Sequence, residues 1–307
     1  MPTTFRGRDV ISARDFSRAD LEHIFQVAKK LKSKPQPKLL EGSLLGSCFF
    51  EPSTRTRLSF EAAMARLGGR VVGFADPSIT SGKKGETLAD TVNIVSQFVD
   101  IITIRHSLEG AARHAAEVVD VPVINAGDGS NEHPTQAMLD LFTMQETHRR
   151  LDGLHLALAG DLKYGRAIHS LVLACSLFNI RLYLVAPDAV QLPPALADEL
   201  KHHNVKFSFH NSIEEVVGKV DILYLTRMQE ERFSDRAEYE KLKHTFYLTP
   251  KMLQSVKPNF KILHVMPRVC EMDTSIDSSK YAYYFQQARN GMYVRQALLA
   301  LVLGKIK

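Results

Sequence analysis

Residues 47–69, SCFFEPSTRTRLSFEAAMARLGG, indicate the fold class of this chain. The apolar run at 47–50 predicts a buried strand, and Pro52 ends it because proline cannot donate to a sheet. Beyond the turn, apolar residues recur with helical spacing and predict a buried face formed by Phe60, Ala63, Met64 and Leu67. Gly68 and Gly69 then stop the helix. A strand that leads through a polar turn into an amphipathic helix is typical of a parallel α/β sheet.

The same alternation continues along the chain. Short runs rich in β-branched and apolar residues predict two sets of strands, at 47–50, 71–74, 101–104 and 121–125, and at 155–159, 181–185, 205–209, 222–226 and 261–265. Helices are predicted at 54–67, 87–99, 134–148 and 285–303. We therefore expect an α/β fold with two domains, each a mainly parallel sheet flanked by helices. The helix at 134–148 would join the two halves, and the apolar helix at 285–303 must pack on one of them.

The composition favours a globular protein that acts on a small anion. Of 307 residues, 45% are hydrophobic and 24% charged, which excludes a disordered chain. No run approaches the ~18 apolar residues of a membrane span, and the first residues lack the apolar core of a secretion signal. Three cysteines without metal-type spacing favour the reducing cytoplasm. The 39 basic residues exceed the 34 acidic ones, but both kinds interleave, which favours a small anion over nucleic acid.

The polar turn at 53–57, Ser-Thr-Arg-Thr-Arg, is a candidate anion site. Ser53 or Thr54 would cap the new helix, whose first N–H groups and positive dipole end attract phosphates and carboxylates. Hydroxyl groups together with Arg55 and Arg57 would make the turn selective for a multivalent oxyanion. The alternative is a simple helix cap followed by solvated arginines.

Other segments of the first half could serve the same site. Arg105 follows a predicted strand at its carboxyl end, where α/β sheets bind ligands, although a salt bridge would also explain it. His133 and Gln136 lie where the helix at 134–148 begins; a neutral His133 could donate to a carbonyl oxygen, or it could be a capping histidine. The polar loop at 76–86 is either an inert solvated loop or a lid that reaches phosphate.

Arginines also end strands in the second half. The segment GDLKYGR at 160–166 leads from a strand into a helix, and Arg166 could bind a carboxylate; it lacks the Lys-Ser/Thr pair of a nucleotide P-loop. Arg227 and Gln229 follow the predicted strand at 222–226. Histidines at 202, 203 and 210 lack a Cys or acid that would complete a metal site. These groups would stabilise charge on a substrate and supply no nucleophile.

Together these segments resemble the aspartate/ornithine carbamoyltransferase family, and the resemblance covers residues 5–304. The motifs occur in the family's order: FFEPSTRTRLSFE at 49–61, SGKKGETLAD at 81–90, NAGDGSN at 125–131, HPTQ at 133–136, GDLKYGR at 160–166, DILYLTR at 221–227 and YYFQQARNG at 283–291. The late motif H-P-x-P-R of the family reads HVMPR at 264–268, with Val265 at the first proline.

The resemblance implies transfer of the carbamoyl group from carbamoyl phosphate to L-aspartate, giving N-carbamoyl-L-aspartate and phosphate, in de novo pyrimidine biosynthesis. Ornithine or another amino acid is the alternative acceptor, and an anion-binding module without activity is the alternative class. No cofactor or metal is implied. The carbamoyl phosphate-binding domain would comprise 1–148 and 285–307, so that the last helix returns to the first domain, and the aspartate-binding domain would comprise 149–284.

Residue roles are carried over by the same resemblance. Carbamoyl phosphate would be bound by Ser53, Thr54, Arg55, Thr56, Arg105, His133 and Gln136, joined by Ser81 and Lys84 from a neighbouring subunit. Of these, the catalytic groups would be Arg55, Thr56, Arg105 and His133. Aspartate would be bound by Lys84, Arg166, Arg227 and Gln229. The backbone carbonyls of Met266 and Pro267, across a cis peptide bond, would orient the carbamoyl nitrogen.

The resemblance further implies an assembly, a catalytic homotrimer with shared active sites. Charged residues match positions that lock the domains when both substrates bind, namely Glu51, Arg166 and Arg232. Lys163 and Glu238 match an intersubunit contact of a larger assembly, and Glu109 and Arg113 match a surface used by separate zinc-bearing regulatory chains. Ordinary solvated charges are the alternative for each. Nucleic-acid and membrane partners are not expected.

Overall fold

Strands and helices alternate throughout the computed structural model, which describes residues 4–229, 236–242 and 246–306. The strands are β1 (Leu44–Phe49), β2 (Arg70–Phe74), β3 (Ile101–His106), β4 (Val123–Asp128), β5 (His155–Ala159), β6 (Arg181–Val185), β7 (Phe207–His210), β8 (Ile222–Leu225) and β9 (Lys261–His264). The helices are α1 (Arg18–Ser33), α2 (Thr54–Arg66), α3 (Leu88–Ser96), α4 (Ala111–Val118), α5 (Pro134–His148), α6 (Arg166–Cys175), α7 (Pro194–His202), α8 (Arg236–Leu242) and α9 (Tyr284–Val302).

Every predicted strand is confirmed, and the differences lie at the ends of the elements. β1 begins at Leu44 instead of 47, because Gly46, a poor strand former, separates Leu44 and Leu45 from the predicted run. Gly46 is small for a packing reason, since a Cβ there would lie 3.2 Å from side-chain carbons of Val95 and Val99. α3 is shorter than predicted, since Thr87 is its cap and accepts a hydrogen bond from the Asp90 N–H.

The strands form two sheets in which all pairings are parallel. The first sheet has the order β2-β1-β3-β4, and the second has the order β7-β6-β5-β8-β9. In each sheet the strand order reverses direction once, beside β1 and beside β5. The loops at the carboxyl ends of the two central strands therefore diverge there and leave a crevice, which is where open α/β sheets bind ligands.

The chain divides into two compact units, which confirms the two-domain α/β fold. The first contains the residues up to Leu139 and those from Arg289 onward, and the second contains Asp140–Ala288. The division falls within α5 and within α9. The helix at 134–148 is thus shared between the units, and most of the C-terminal helix belongs with the first one, as the resemblance implied.

Several strands are fully buried, as expected for parallel sheets covered on both faces. Every residue of β4 and β8 is buried. On α2 the predicted face is confirmed, since Phe60, Ala63 and Met64 are 0% exposed. Among the described residues, no helix is both long and apolar enough to cross a membrane.

Candidate active site

In the first unit, the reversal point of the sheet is occupied by the start of α2. Ser53 is the N-cap residue in extended conformation, with φ −157°, and its side chain makes no capping hydrogen bond. The sequence predicted this position of the cap, but the hydroxyl does not occupy the first N–H groups of the helix. Thr54 and Arg55 are exposed, while Thr56 is 7% exposed. This end of α2 therefore offers N–H donors and a positive dipole to an anion.

Arg57 differs from Arg55, although the sequence treats them alike. Its Nη1 lies 3.2 Å from Glu61 Oε1, one turn further along α2. Glu61 Oε1 also accepts a hydrogen bond from Ser47 Oγ at 3.1 Å. An acid on the same helix face thus contacts Arg57, and the expectation that both guanidiniums serve the turn stays a prediction.

Arg105 lies at the carboxyl end of β3, beside β1. Its side chain is 13% exposed, and its Nε lies 3.4 Å from Glu51 Oε2. Its Nη1 donates to the carbonyl of Ala126 at 3.3 Å, at the end of β4. The salt bridge that the sequence left as an alternative is therefore present. It holds the cation at the strand end, next to the turn that carries Ser53.

His133 and Gln136 lie at the start of α5, where they are 4% and 9% exposed. His133 Nε2 lies 3.3 Å from Thr56 Oγ1. The structure thus joins two residues that are far apart in sequence and that the resemblance placed in one site. Buried Asp128 supports this segment, because its Oδ1 accepts the N–H of Glu132 at 3.2 Å and its Oδ2 the side-chain amide of Asn131 at 3.0 Å.

Ser81 and Lys84 lie in a short 3-10 helix, Ser81–Lys84, and both are exposed. Within the described residues, no hydrogen bond or ion pair joins them to Ser53, Arg105 or His133. The chain by itself therefore assembles the turn, the strand-end arginine and the histidine, and leaves this segment apart.

In the second unit, the reversal point lies between the ends of β5 and β8. Gly160 follows β5 with φ +122°, and a Cβ there would lie 2.0 Å from the carbonyl oxygen of Thr226. Only glycine permits this close approach of the two backbones. The segment that leads from β5 to Arg166 and the segment that leads from β8 to Arg227 therefore leave the sheet side by side.

Asp161 joins the segment before Arg166 to the segment after β8 by hydrogen bonds. Sequence reasoning assigned Asp161 no role. It is 0% exposed. Its Oδ1 accepts the N–H of Tyr164 at 2.9 Å, and its Oδ2 accepts the N–H of Gln229 at 3.3 Å. Burial raises the pKa of the Asp161 carboxyl, although these hydrogen bonds act in the opposite direction. An acid directly after a strand-ending glycine was the signal that could have identified it.

The predicted aspartate-binding side chains surround this loop pair. Arg166 is the first residue of α6 and is half-buried, as are Arg227 and Gln229. Arg227 Nη1 donates to the carbonyl of Met228 at 3.1 Å. Two guanidiniums thus stand near a single reversal point, which suits a ligand with more than one carboxylate.

The segment after β9 contains the predicted cis peptide bond between Met266 and Pro267, which is confirmed. Arg268 pairs with an acid and a tyrosine: its Nη2 donates to Asp277 Oδ2 at 2.6 Å, and its Nη1 lies 3.4 Å from the Tyr284 hydroxyl. The hydrogen bond from Arg268 lowers the pKa of Asp277. Arg232 and the side chain of Glu238 lie outside the described part of the chain.

The described residues contain no group of three or more His, Cys, Asp and Glu side chains arranged for a metal ion. Of the histidines considered from the sequence, His210 contacts Glu215 Oε2 at 3.0 Å and Ser208 Oγ at 2.9 Å. These contacts belong to the edge strand β7 and not to either reversal point.

Comparison with protein families gives two matches that together span most of the chain. Residues 8–146 match the aspartate/ornithine carbamoyltransferase, carbamoyl-P binding domain. Residues 152–302 match the aspartate/ornithine carbamoyltransferase, Asp/Orn binding domain.

Similar full-length proteins agree with these matches. The chain is 54% identical to an aspartate carbamoyltransferase catalytic subunit 2 of Shewanella halifaxensis, with 99% of this chain and 98% of that one covered. It is 52% identical to an aspartate carbamoyltransferase catalytic subunit of Chromobacterium violaceum, covering 97% and 98%. Aspartate transcarbamoylase of Trypanosoma cruzi, solved with carbamoyl aspartate and phosphate, superposes with a TM-score of 0.94 at 38% identity, covering 99% and 98%. With family models over both halves and relatives above half identity, the chain belongs to the aspartate/ornithine carbamoyltransferase family.

Proposed function

We propose that this protein is an aspartate carbamoyltransferase that transfers the carbamoyl group of carbamoyl phosphate to L-aspartate. The observation that carries the proposal is the placement of cationic and hydroxyl side chains at both strand-order reversals, in a chain whose relatives carry this name. The products are N-carbamoyl-L-aspartate and phosphate, and the reaction serves de novo pyrimidine biosynthesis.

The first unit binds carbamoyl phosphate in this proposal. The N-terminus of α2 supplies N–H groups and the hydroxyls of Ser53, Thr54 and Thr56 to the phosphate, with Arg55 and Arg105 as the cations. Supporting this, Thr54 and Arg55 are exposed at a helix start where no capping side chain takes the N–H groups. Multiple charge-assisted hydrogen bonds of this kind favour a doubly charged phosphate.

His133, Thr56 and Arg105 polarise the carbamoyl carbonyl, and Gln136 contacts the carbamoyl amide. The 3.3 Å separation of His133 Nε2 and Thr56 Oγ1 supports a shared target for these two donors. The neutral amine of aspartate attacks the carbonyl carbon, and the bond from that carbon to the phosphate oxygen breaks. Charge moves to the departing phosphate, which accepts the amine proton. Stabilising that charge and positioning the reactants are sufficient for catalysis.

The second unit binds aspartate through Arg166, Arg227 and Gln229, with Lys84 reaching in from a neighbouring subunit. Two arginines suit a dicarboxylate, whereas ornithine carries a cationic side chain that they would repel. Val265 also stands where the ornithine-specific members of the family carry a cysteine after the late histidine. The backbone carbonyls of Met266 and Pro267 accept hydrogen bonds from the carbamoyl nitrogen. Residues 1–148 with 285–307 and residues 149–284 then form the two substrate domains.

A catalytic homotrimer is part of the same proposal. Ser81 and Lys84 are exposed and lack contacts to the anion residues of their own unit in the described chain. Large apolar side chains between residues 72 and 98 are also exposed: Val72 at 47%, Ile79 at 76%, Ile94 at 56% and Phe98 at 68%. Exposed apolar groups of this size favour burial against another protein. A neighbouring copy that covers them would bring Ser81 and Lys84 to its site.

A larger assembly and the cellular compartment complete the proposal. Lys163, Glu109 and Arg113 are proposed contacts in a larger assembly with zinc-bearing regulatory chains, for which the word "subunit" in the names of the relatives is the support. The cytoplasm is the proposed location, since the three cysteines are free thiols, two of them buried.

The purified chain can be tested in one assay with two acceptors. Consumption of carbamoyl phosphate is followed with aspartate and, separately, with ornithine, and the carbamoylated product is identified by mass spectrometry. We expect N-carbamoyl-L-aspartate and stoichiometric phosphate. Faster turnover with ornithine would replace the proposal with the alternative acceptor, and no turnover with either would favour a binding module without activity.

A further inference from the structure

A buried pair lies at the end of β9, outside the groups that the proposed reaction uses. His264 is the last residue of the strand, and it is 2% exposed, while Glu271 is 4% exposed. His264 Nε2 lies 2.6 Å from Glu271 Oε1. The other carboxylate oxygen accepts the backbone N–H groups of Val269 at 3.0 Å and Cys270 at 2.9 Å. The pair therefore ties both ends of the loop 265–270 together.

The hydrogen bonds of His264 define which ring nitrogen carries the proton. Nδ1 accepts the backbone N–H of Met266 at 2.7 Å, so it carries no proton itself. The proton of the neutral ring is then on Nε2 and is donated to Glu271. Burial alone would raise the pKa of Glu271, but the hydrogen bonds from His264 and the backbone outweigh it and lower that pKa. An ionised Glu271 thus fixes the tautomer that can hold Met266.

The Met266 backbone needs such support. Its φ is 57°, in the left-handed region, which is unfavourable for a residue with a side chain. The acceptor on His264 favours the conformation that brings the Met266 N–H towards the ring. The hydrogen bond fixes the peptide plane that precedes Met266, and the backbone angles of Met266 place its carbonyl relative to that plane, so the ring constrains where that carbonyl points.

The His264 backbone is anchored from the opposite side. Its N–H donates to Gln287 Oε1 at 2.9 Å, and Gln287 Nε2 donates to Asp140 Oδ1 at 2.6 Å. Tyr224 completes the network, since its hydroxyl donates to Asp140 Oδ2 at 2.8 Å. All these side chains are buried, so the ring has one position relative to the sheet.

We infer that His264 and Glu271 are positioning residues for carbamoyl transfer: the carboxylate orients the imidazole, and the imidazole sets the Met266 and Pro267 carbonyls that hold the carbamoyl nitrogen. The inference rests on the proposed function, in which those carbonyls contact the substrate. Neither side chain contacts the reacting atoms, so both act through the loop 265–270.

A pair of substitutions separates the two hydrogen bonds of the ring. His264→Asn keeps an acceptor near the Nδ1 position and loses the donor to Glu271, whereas His264→Gln keeps a donor near Nε2 and loses the acceptor for Met266. We expect His264→Gln to lower kcat about 10–100-fold, as is usual when a supporting residue is removed, and to change KM for aspartate much less. His264→Asn should keep more of kcat. His202→Gln, on exposed α7, is the matched control and should leave kinetics unchanged.

The result is read against wild-type turnover with aspartate. An inactive wild type refutes the proposed function, while an active wild type together with a folded, fully active His264→Gln variant refutes the inference alone. If His264→Gln does not fold, as judged by thermal unfolding, Glu271→Gln replaces it, because it conserves shape but has one acceptor oxygen and cannot accept from both His264 Nε2 and the backbone N–H groups; unchanged kcat there also refutes the inference. If neither variant folds, ¹⁵N-histidine NMR spectra of the wild type test the inference. A proton on Nε2 of His264 supports the inference, and a proton on Nδ1 refutes it.

Discussion

The two units place their candidate residues at the same kind of position, a reversal of strand order, but they hold them differently. In the first unit the groups stand on regular elements: Thr56 on α2, Arg105 on β3 and Gln136 on α5. In the second unit Arg166 begins α6 while Arg227 and Gln229 stand on the loop after β8, and buried Asp161 joins the segment before Arg166 to Gln229. An anion site built on strand and helix ends depends on many backbone contacts. A loop-built site can depend on a single carboxylate.

The largest expected effect is on the first unit's site itself. Arg105→Ala removes a cation that stabilises charge on the carbonyl and the phosphate, and loss of one such donor lowers kcat by about 10²–10³. The fold should persist, because the contacts of Arg105 with Glu51 and the Ala126 carbonyl lie at the carboxyl ends of the strands. Steady-state kinetics and thermal unfolding of the same sample measure the two quantities.

The His133→Ala variant is the companion to this change, and it should likewise fold and lose most of its activity. Arg105→Ala with unchanged turnover would remove Arg105 from the mechanism. Loss of folding in both variants would contradict the view that this site is supported by the surrounding elements and not by its own side chains.

The second unit should respond differently, through Asp161. Asp161→Ala leaves the N–H groups of Tyr164 and Gln229 without their carboxylate. Because hydrogen bonds to charged groups contribute about 1.5–3 kcal/mol, KM for aspartate should rise about 10–100-fold. KM for carbamoyl phosphate should stay near that of the wild type, since its residues lie in the first unit.

Asp161→Asn is the matched control, because its oxygen can still accept the Tyr164 N–H while its amide cannot accept from Gln229. It should raise KM for aspartate less than the alanine variant does. Equal increases in KM for both substrates would show that Asp161 supports the whole chain and would break the contrast between the units.

The regular elements were predictable from the sequence because hydrophobic periodicity and strand-ending glycines and prolines act locally. Phe60, Ala63 and Met64 were assigned to a buried face by spacing alone, and they are buried. Arg105 was predicted at a ligand site because a charged residue after an apolar strand of a parallel sheet lies at its carboxyl edge. Family motifs added the roles, which spacing cannot supply.

Other features depend on contacts between distant residues and were not predictable. The strand order that brings Asp161 next to Gln229 cannot be predicted from either segment alone. Arg55 and Arg57 look equivalent in the sequence, and only the helix geometry shows that Glu61 contacts one of them. His264 and Glu271 are seven residues apart, but their hydrogen bond depends on the left-handed turn at Met266.

Opposite pH responses are expected from the two buried carboxylates of the second unit. The pKa of Asp161 is raised in the folded state from 3.8, so its contribution to stability falls as pH rises above that value. The pKa of Glu271 is lowered from 4.5, so its contribution is present above that value and is lost as pH falls below it. Each pKa unit corresponds to about 1.4 kcal/mol.

Urea unfolding of the wild type, Asp161→Asn and Glu271→Gln between about pH 4 and 7 measures these slopes. As pH falls, the wild type should gain stability relative to Asp161→Asn and lose its advantage over Glu271→Gln. Parallel curves for all three proteins would contradict both assignments.

Arg57→Ala should have the smallest effect. It tests the contrast between Arg55 and Arg57 in the turn at 53–57 of the first unit. Its pair with Glu61 is an i,i+4 contact on a partly exposed helix face, worth about 0.3–0.5 kcal/mol. Stability should fall by about that amount, and kcat should stay at the wild-type value because Glu61 draws this guanidinium along the helix. The matched Arg55→Ala variant should lose turnover. A loss of turnover in Arg57→Ala comparable to that in Arg55→Ala would restore both arginines to the anion site.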